Sequence, residues 1–551
     1  MTLTFCGAAR QVTGSMFLLE TKEFRILVDC GLSQGEDEKK AGDTFPFSPA
    51  SIDLVLLTHA HIDHSGRLPQ LVKEGFKGTI YATRATQELC SIMLLDSAHI
   101  QESEAEWQNR KNKRKGKASV EPLYTQDDAY ETMNHFEGVA YNRMLNLYEH
   151  LHVRFVDAGH LLGSASIEVF IEEEGKATKL VFSGDIGNTD QPIIKDPDYI
   201  NDADVVVMES TYGDRLHDKN VLSLEERARL LADITDRTFR RGGKLIIPSF
   251  AVGRTQEILY LYRIIIDHKM LDYEIPVFLD SPLALRATNI FRNSIRGDYF
   301  DEDAMELVRK GLNPVDFPSL VKCQDVKDSR ALNDRKEPCV IISSSGMCDA
   351  GRIKHHLKHN LWRSEATVLF VGYQAQGTLG RNIADGASHV TIFGEQIEVK
   401  AEIASLPGLS GHADKAGLLR WIHEFREKPS KVFIVHGDEN VAPQFAGILA
   451  EEGYNVCAPK LLDTYDLNLP LPEMEKAVYI DRNTKILNDA FRQLENGKDR
   501  IDKLLERFQF ASANVDKQDK KKCTRLANAV MRLTSDLEDL AEKWNADADV
   551  K

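Results

Sequence analysis

His59-Ala60-His61-Ile62-Asp63-His64 places four potential metal ligands within six residues. It follows directly on Ile52-Asp53-Leu54-Val55-Leu56-Leu57-Thr58, an apolar run that reads as a buried strand. The ligands therefore fall in the loop at the strand's C-terminal end, where the sites of layered α/β proteins gather. A single ion seldom takes four ligands this close together. The step from Asp63 to His64 turns neighbouring side chains in different directions, which suits two adjacent ions. The alternative is a polar loop that happens to be rich in histidine. The rest of the chain argues against it, because similar ligands recur in similar places.

His160 lies in Asp157-Ala158-Gly159-His160-Leu161-Leu162-Gly163-Ser164, after the apolar run 152–156. Asp185 lies in Ser183-Gly184-Asp185-Ile186-Gly187, after 179–182, and His436 in His436-Gly437-Asp438, after 432–435. Each repeats one grammar: short apolar strand, ligand, glycine. Glycine lets the backbone bend tightly beside a metal without a Cβ clash.

On these motifs the chain resembles the metallo-β-lactamase-fold nucleases of the β-CASP family, over roughly residues 1–465. The likeness is strongest to bacterial and archaeal relatives of the endonuclease subunit of the pre-mRNA 3′-end cleavage factor. The family's first motif, an acid closing a strand, matches Asp29; the second is the 59–64 cluster, the third His160 and the fourth Asp185. The motifs peculiar to β-CASP match Glu209 in Met208-Glu209-Ser210-Thr211-Tyr212, His412 in Ser410-Gly411-His412-Ala413-Asp414, and His436. The resemblance implies an α/β fold: an αββα metallo-β-lactamase sandwich (1–208 and 391–465) interrupted by a β-CASP domain (209–390).

The chain's 551 residues suffice for two or three well-buried cores. No apolar run approaches the ~20 residues of a membrane span, and the start reads as a strand and not as a secretory signal. Eight scattered cysteines without paired spacing point to reduced thiols in a cytoplasmic protein. A net charge of −16 argues against a general nucleic-acid coat protein. It leaves a nuclease open, since metal cations and a local basic groove supply positive charge at a site. The Arg110–Lys117 run is one basic segment; such runs are most often solvated surface.

Residues 85–150 are polar and helical in tone, which predicts a helical excursion on the outer face. From about 212 to 390 the pattern changes to β-α repeats, with strands predicted at 244–248, 276–280, 340–343 and 367–371. Each ends in a loop of small polar residues, including Ser345-Gly346 and Gly377-Thr378. Four such loops on one sheet edge predict a phosphate-tracking surface. Arg254 and Arg381 are expected to join it, as forks that hold two phosphate oxygens. The competing expectation is that they pair with Glu257 and Asp385, one helical turn away. His355, His356 and His359 lack acidic or glycine context and are expected on a solvated helix. Beyond residue 470, apolar positions at heptad-like spacing predict a helical hairpin to 551, which packs on its own chain or binds a partner. A homodimer is left open.

The resemblance and the ligand chemistry imply one assignment. His59, His61 and His160 hold one metal; Asp63, His64 and His436 hold a second; Asp185 bridges them. Imidazole and carboxylate without thiolate suit two zinc ions, with Mn²⁺ or Fe²⁺ left open. Asp29 is expected to orient a ligand histidine from behind. His412 is expected to act as general acid, held by Glu209. Histidine at 436 is the choice of RNA-directed relatives, where DNA-directed ones carry an aliphatic residue. The leading reading is an endoribonuclease on single-stranded RNA. Its rivals are a 5′-to-3′ exoribonuclease, a small-molecule metallo-hydrolase and a non-catalytic RNA-binding subunit. The inserted domain argues against the second of these, and the complete ligand set against the last.

Overall fold

The structure, a computed structural model, describes residues 1–35, 37–39, 42–217, 222–375 and 377–472. The predicted hairpin beyond residue 472 lies outside them.

Short aliphatic runs build two stacked sheets. The first has the spatial order Thr464–Asp466, Thr2–Phe5, Phe17–Glu20, Arg25–Val28, Leu54–Leu56, Thr79–Thr83, Phe136–Val139. The second runs Val456–Cys457, Lys431–Val435, Val205–Glu209, Lys176–Phe182, Ala165–Glu173, Leu151–Asp157, Leu145–Tyr148. Their inner faces share one core, with Phe5, Ile26, Val28 and Leu56 meeting Phe155, Ile167, Phe182, Val207 and Phe433. Outside the first sheet, Leu27, Val55 and Ile80 pack with Leu89 and Leu94 of the helix Arg84–Lys115. Outside the second, Val206, Met208 and Ile434 pack with Trp421 and Phe445 on the helices Lys415–His423 and Val441–Glu451. Central strands are apolar on both sides because both faces are covered. This is the expected αββα layering.

Val205–Glu209 lies parallel between Lys176–Phe182 and Lys431–Val435. The chain thus leaves the sandwich after Glu209 and returns beside it at Lys431. Between them it builds a third sheet, ordered Leu320–Lys322, Val277–Leu279, Val340–Ser343, Leu245–Pro248, Thr367–Phe370, Glu402–Ser405, with every pairing parallel. Alternate residues face opposite helical layers: Leu245 and Ile247 meet Ile258 and Leu231, while Ile246 and Val368 meet Ile353 and Leu357. Parallel pairing puts the loops after 248, 279, 343 and 370 on one edge, as the sequence predicts.

Two expectations need correction. The helical excursion holds for Arg84–Lys115 and Gln126–Met133, but Phe136–Val139 and Leu145–Tyr148 are strands. They are short strands on the edges of the two sandwich sheets, half-covered, so their polar tone hid them. The basic run ends the long helix, where Lys113, Arg114 and Lys115 complement the dipole before Gly116 caps it. His355 and His359 are exposed on the helix Ile353–Asn360, but His356 is fully buried and hydrogen-bonded to Asp280 at 2.6 Å. Its acid comes from another strand, 76 positions away, beyond the reach of local context.

Among the described residues no helix is long and apolar enough to cross a membrane. The seven cysteines described are free thiols, six of them buried.

Candidate metal centre and catalytic site

The strand–ligand–glycine grammar brings its ligands to one end of the sandwich. Asp29 and His436 close strands of the first and second sheets in left-handed conformations, φ 59 and 49. Such strain in non-glycine residues is characteristic of functional sites. Close packing of the loops demands glycine at two positions. A Cβ on Gly31 would lie 1.7 Å from the Asp63 carbonyl, and one on Gly187 would lie 1.8 Å from the Gly159 carbonyl.

Candidate ligands converge in three overlapping groups: His59, His61, His160 and Asp185; Asp63, His64 and His436; and Asp185, Glu209 and His436. His61 Nδ1 lies 3.1 Å from His59 Nε2 and 3.2 Å from His160 Nε2. His64 Nε2 lies 3.1 Å from His436 Nε2, and Asp63 Oδ2 lies 3.6 Å from the same nitrogen. Asp185 divides between the first two. Its Oδ2 is 3.4 Å from His59 and 3.5 Å from His160, while its Oδ1 is 3.2 Å from His64 and 3.6 Å from His436.

The outer nitrogens show what the inner ones carry. His160 Nδ1 meets the Gly411 carbonyl at 3.0 Å, which only accepts, so Nδ1 donates and Nε2 turns a lone pair inward. His64 Nδ1 meets the Asp29 carboxylate at 2.7 Å, with the same consequence. His59 and His436 Nδ1 meet the hydroxyls of Thr58 and Thr211 at 3.1 and 3.0 Å. Asp185 Oδ1 is buried without a hydrogen-bond partner. Lone pairs facing one another at 3.1–3.2 Å, around an orphaned carboxylate oxygen, fit cations held between them.

The electrostatics divide the two groups: burial opposes a charge on His436, but Asp185 and Asp63 outweigh it and raise its pKa. Burial, with the charge of neighbouring rings, holds His59 and His160 well below the ordinary histidine value, and burial lowers His61. Burial opposes a charge on His64 too, but Asp185 and Asp29 outweigh it and raise its proton affinity. A cation at Asp185 would answer the same field in the proton's place.

His412 stands beside this donor set. Its ring is 4.5 Å from that of His160, centre to centre, and its Nε2 is 3.9 Å from Asp185 Oδ2. Its Nδ1 faces Glu209 Oε1 at 3.2 Å. Its side chain is 21% exposed, against 4% or less for His59, His64, His160 and His436. An antiparallel bridge to Gly187 fixes the His412 backbone. Glu209 is fixed in turn by the amides of Ile186 and Thr211 at 2.6 and 3.1 Å. Burial opposes the charge on His412, but Glu209 and Asp185 outweigh it and raise its pKa to about 9.

The expected phosphate contacts form no such cluster. Arg254 pairs with Glu257, and Arg381 with Asp385 at 2.8 Å, as the competing expectation has it. Ser345 Oγ bonds the Ala350 backbone, Gly346 is buried, Gly377 is exposed, and Thr378 caps the Arg381 amide. Sequence reading missed Thr58, Thr211 and the Gly411 carbonyl. Thr58 also bonds Asp29 through its amide and hydroxyl, at 2.8 and 2.9 Å. Its place between strand and ligand was a usable signal; the other two act through tertiary approach alone.

Residues 18–204 match the metallo-beta-lactamase superfamily domain, 255–383 the Beta-Casp domain, and 396–459 a Zn-dependent metallo-hydrolase RNA specificity domain. The chain is 38% identical over 450 residues to Ribonuclease TTHA0252 of Thermus thermophilus, covering 82% of this chain and 96% of that one. It is 32% identical to an RNase J-like protein of Methanocaldococcus jannaschii (81% and 94% covered). It is also 32% identical to transcription termination factor FttA of Methanosarcina mazei (81% and 68% covered).

Proposed function

The chain belongs to the β-CASP ribonucleases of the metallo-β-lactamase fold and is a metal-dependent RNA hydrolase, and we propose that it is an endoribonuclease holding two zinc ions. The division of Asp185 between two groups of inward-facing nitrogens carries this reading. His59, His61, His160 and Asp185 would hold one ion, and Asp63, His64 and His436, again with Asp185, would hold the other. When bound, such a pair acidifies a shared water and neutralises charge on the scissile phosphate.

The protein's own groups do the rest. Asp29, Thr58, Thr211 and the Gly411 carbonyl fix the tautomers and tilt of the ligand rings. His412 donates a proton to the leaving ribose oxygen, with Glu209 holding the ring and favouring its charged form. Arg381 reaches a phosphate by releasing Asp385, an exposed pairing worth roughly 0–1 kcal/mol. Arg254 is less free, because its partner Glu257 is well buried.

Circular RNA decides the mode. Zinc-loaded protein should open a circular single strand and cut an end-labelled linear one internally. If linear RNA decays only from its 5′ end and circles stay intact, the enzyme is an exonuclease on the same residues.

A further inference from the structure

Two half-exposed aromatic rings crown the same edge of the third sheet. Phe250 follows Leu245–Pro248 and Tyr373 follows Thr367–Phe370, and these strands are adjacent and parallel. The rings are 49% and 50% exposed. Several other exposed rings have local company: Trp107 lies under Lys111, Trp362 beside Arg363, Phe393 between His355 and Lys354, while Tyr130 stands alone on a helix of the sandwich. Among the described residues no ring or cation stacks on Phe250 or Tyr373.

Their backbones are nevertheless held firmly. The Phe250 carbonyl accepts from Thr255 Oγ1 at 2.6 Å and from the Thr255 amide at 3.2 Å. Its ring lies against Gly346, where an added Cβ would be only 3.0 Å from the ring edge. Gln374, buried beside Tyr373, donates to the Gly346 carbonyl at 3.1 Å and contacts the Tyr373 carbonyl at 3.3 Å. Gly346 and Gln374 thus tie the two aromatic loops together. The ordered backbone thus holds two uncovered ring faces open on one edge of the sheet.

A path leads from these rings to the reaction centre. The loop that carries Tyr373 leads into the helix Leu379–Ala384 with Arg381, and Arg215 lies in the same neighbourhood. The Arg215 guanidinium sits over the Tyr212 ring at 5.1 Å, and that ring lies 5.8 Å from the ring of His412. Aromatic faces interleaved with cations are the physical signature of a single-strand groove, in which rings take bases and guanidiniums take phosphates.

We propose that Phe250 and Tyr373 form a stacking platform for bases of single-stranded RNA, with Arg215 and Tyr212 continuing the groove to His412. The inference rests on RNA as the substrate and adds the element that holds its bases. Because every base has a π-face, the platform tolerates sequence.

The test uses zinc-loaded full-length protein in a His412→Ala background, so that RNA survives the measurement. Fluorescence anisotropy compares a short oligoadenylate with an abasic strand of equal length. Phe250→Ala and Tyr373→Ala should each weaken oligoadenylate binding by roughly 5- to 100-fold. Abasic binding should stay as it was, and Phe250→Trp and Tyr373→Phe should restore the affinity. The salt dependence should be unaltered, because neutral rings release no counterions. Equal losses on both strands, or no loss on either, would overturn the platform. Failure of the parent protein to bind either strand would overturn the RNA reading itself.

Discussion

The molecule buries the same side-chain pair in two different sheets. His64 bonds Asp29 at 2.7 Å in the sandwich, and His356 bonds Asp280 at 2.6 Å in the third sheet. Both pairs are almost wholly shielded from water. Their carboxylates differ. Asp280 is fully engaged, taking Arg352 on one oxygen at 2.6 Å and Ser329 with His356 on the other. It knits the helix Ile353–Asn360 to the strand Val277–Leu279. Asp29 instead pushes His64 toward other nitrogens, where Nε2 meets His436 and Asp185 at 3.1 and 3.2 Å. A buried histidine–carboxylate pair is therefore not a site. Several lone pairs converging without donors make one.

The contrast breaks most visibly at Asp185, the one carboxylate shared by both ligand groups. Asp185→Asn should lower metal content from about two ions per chain and slow RNA cleavage on the order of 10⁴-fold, about 5–6 kcal/mol. Elemental analysis showing two ions in an active variant would end the bridging assignment. His412–Glu209 is a third such pair, facing the site from outside the donor set. His412→Ala should keep its metal and lose 10²- to 10⁴-fold in rate, about 3–5 kcal/mol. Loss of metal would make it a ligand.

Asp280→Ala should destabilise the fold by about 3–5 kcal/mol in thermal or urea unfolding, because it strands a buried guanidinium and imidazole. Its metal content should equal that of the parent. Asp29→Ala should show the reverse balance: about 10- to 100-fold weaker metal binding or turnover, with a smaller loss of stability. If the two variants behaved alike, position in the fold would not separate the pairs.

The smallest effect is a pH dependence. Burial alone would raise the pKa of Asp280, but His356, Ser329 and Arg352 outweigh it and lower the folded value. A depressed carboxylate contributes stability that is complete above its unfolded value, near pH 4, and is lost as pH falls through the folded one. Wild-type unfolding free energy should thus lead that of Asp280→Asn at pH 7, and the lead should shrink below pH 4. A gap that stays constant through the acid range would remove the ionised pair from the account.

Legibility followed distance along the chain. The ligands at 59–64 announced themselves because strand, turn and donors are contiguous, and His160, Asp185 and His436 repeat that pattern. The strands at 179–182, 340–343 and 432–435 were equally plain, since unbroken aliphatic runs require cover on both faces. What escaped depends on encounters across the fold. His356 finds Asp280 only when a helix packs on a distant strand, and His160 finds the Gly411 carbonyl 251 positions on. The edge strands 136–139 and 145–148 were hidden because one covered face dilutes the hydrophobic signal.

The late return of the chain to the sandwich also sets a schedule for synthesis. Val205–Glu209 has its neighbour Lys431–Val435 only after the whole third sheet has been made, and Thr2–Phe5 has its outer neighbour Thr464–Asp466 later still. His436 arrives with that returning strand. A nascent chain therefore lacks the last of its candidate ligands until residue 436 has been made.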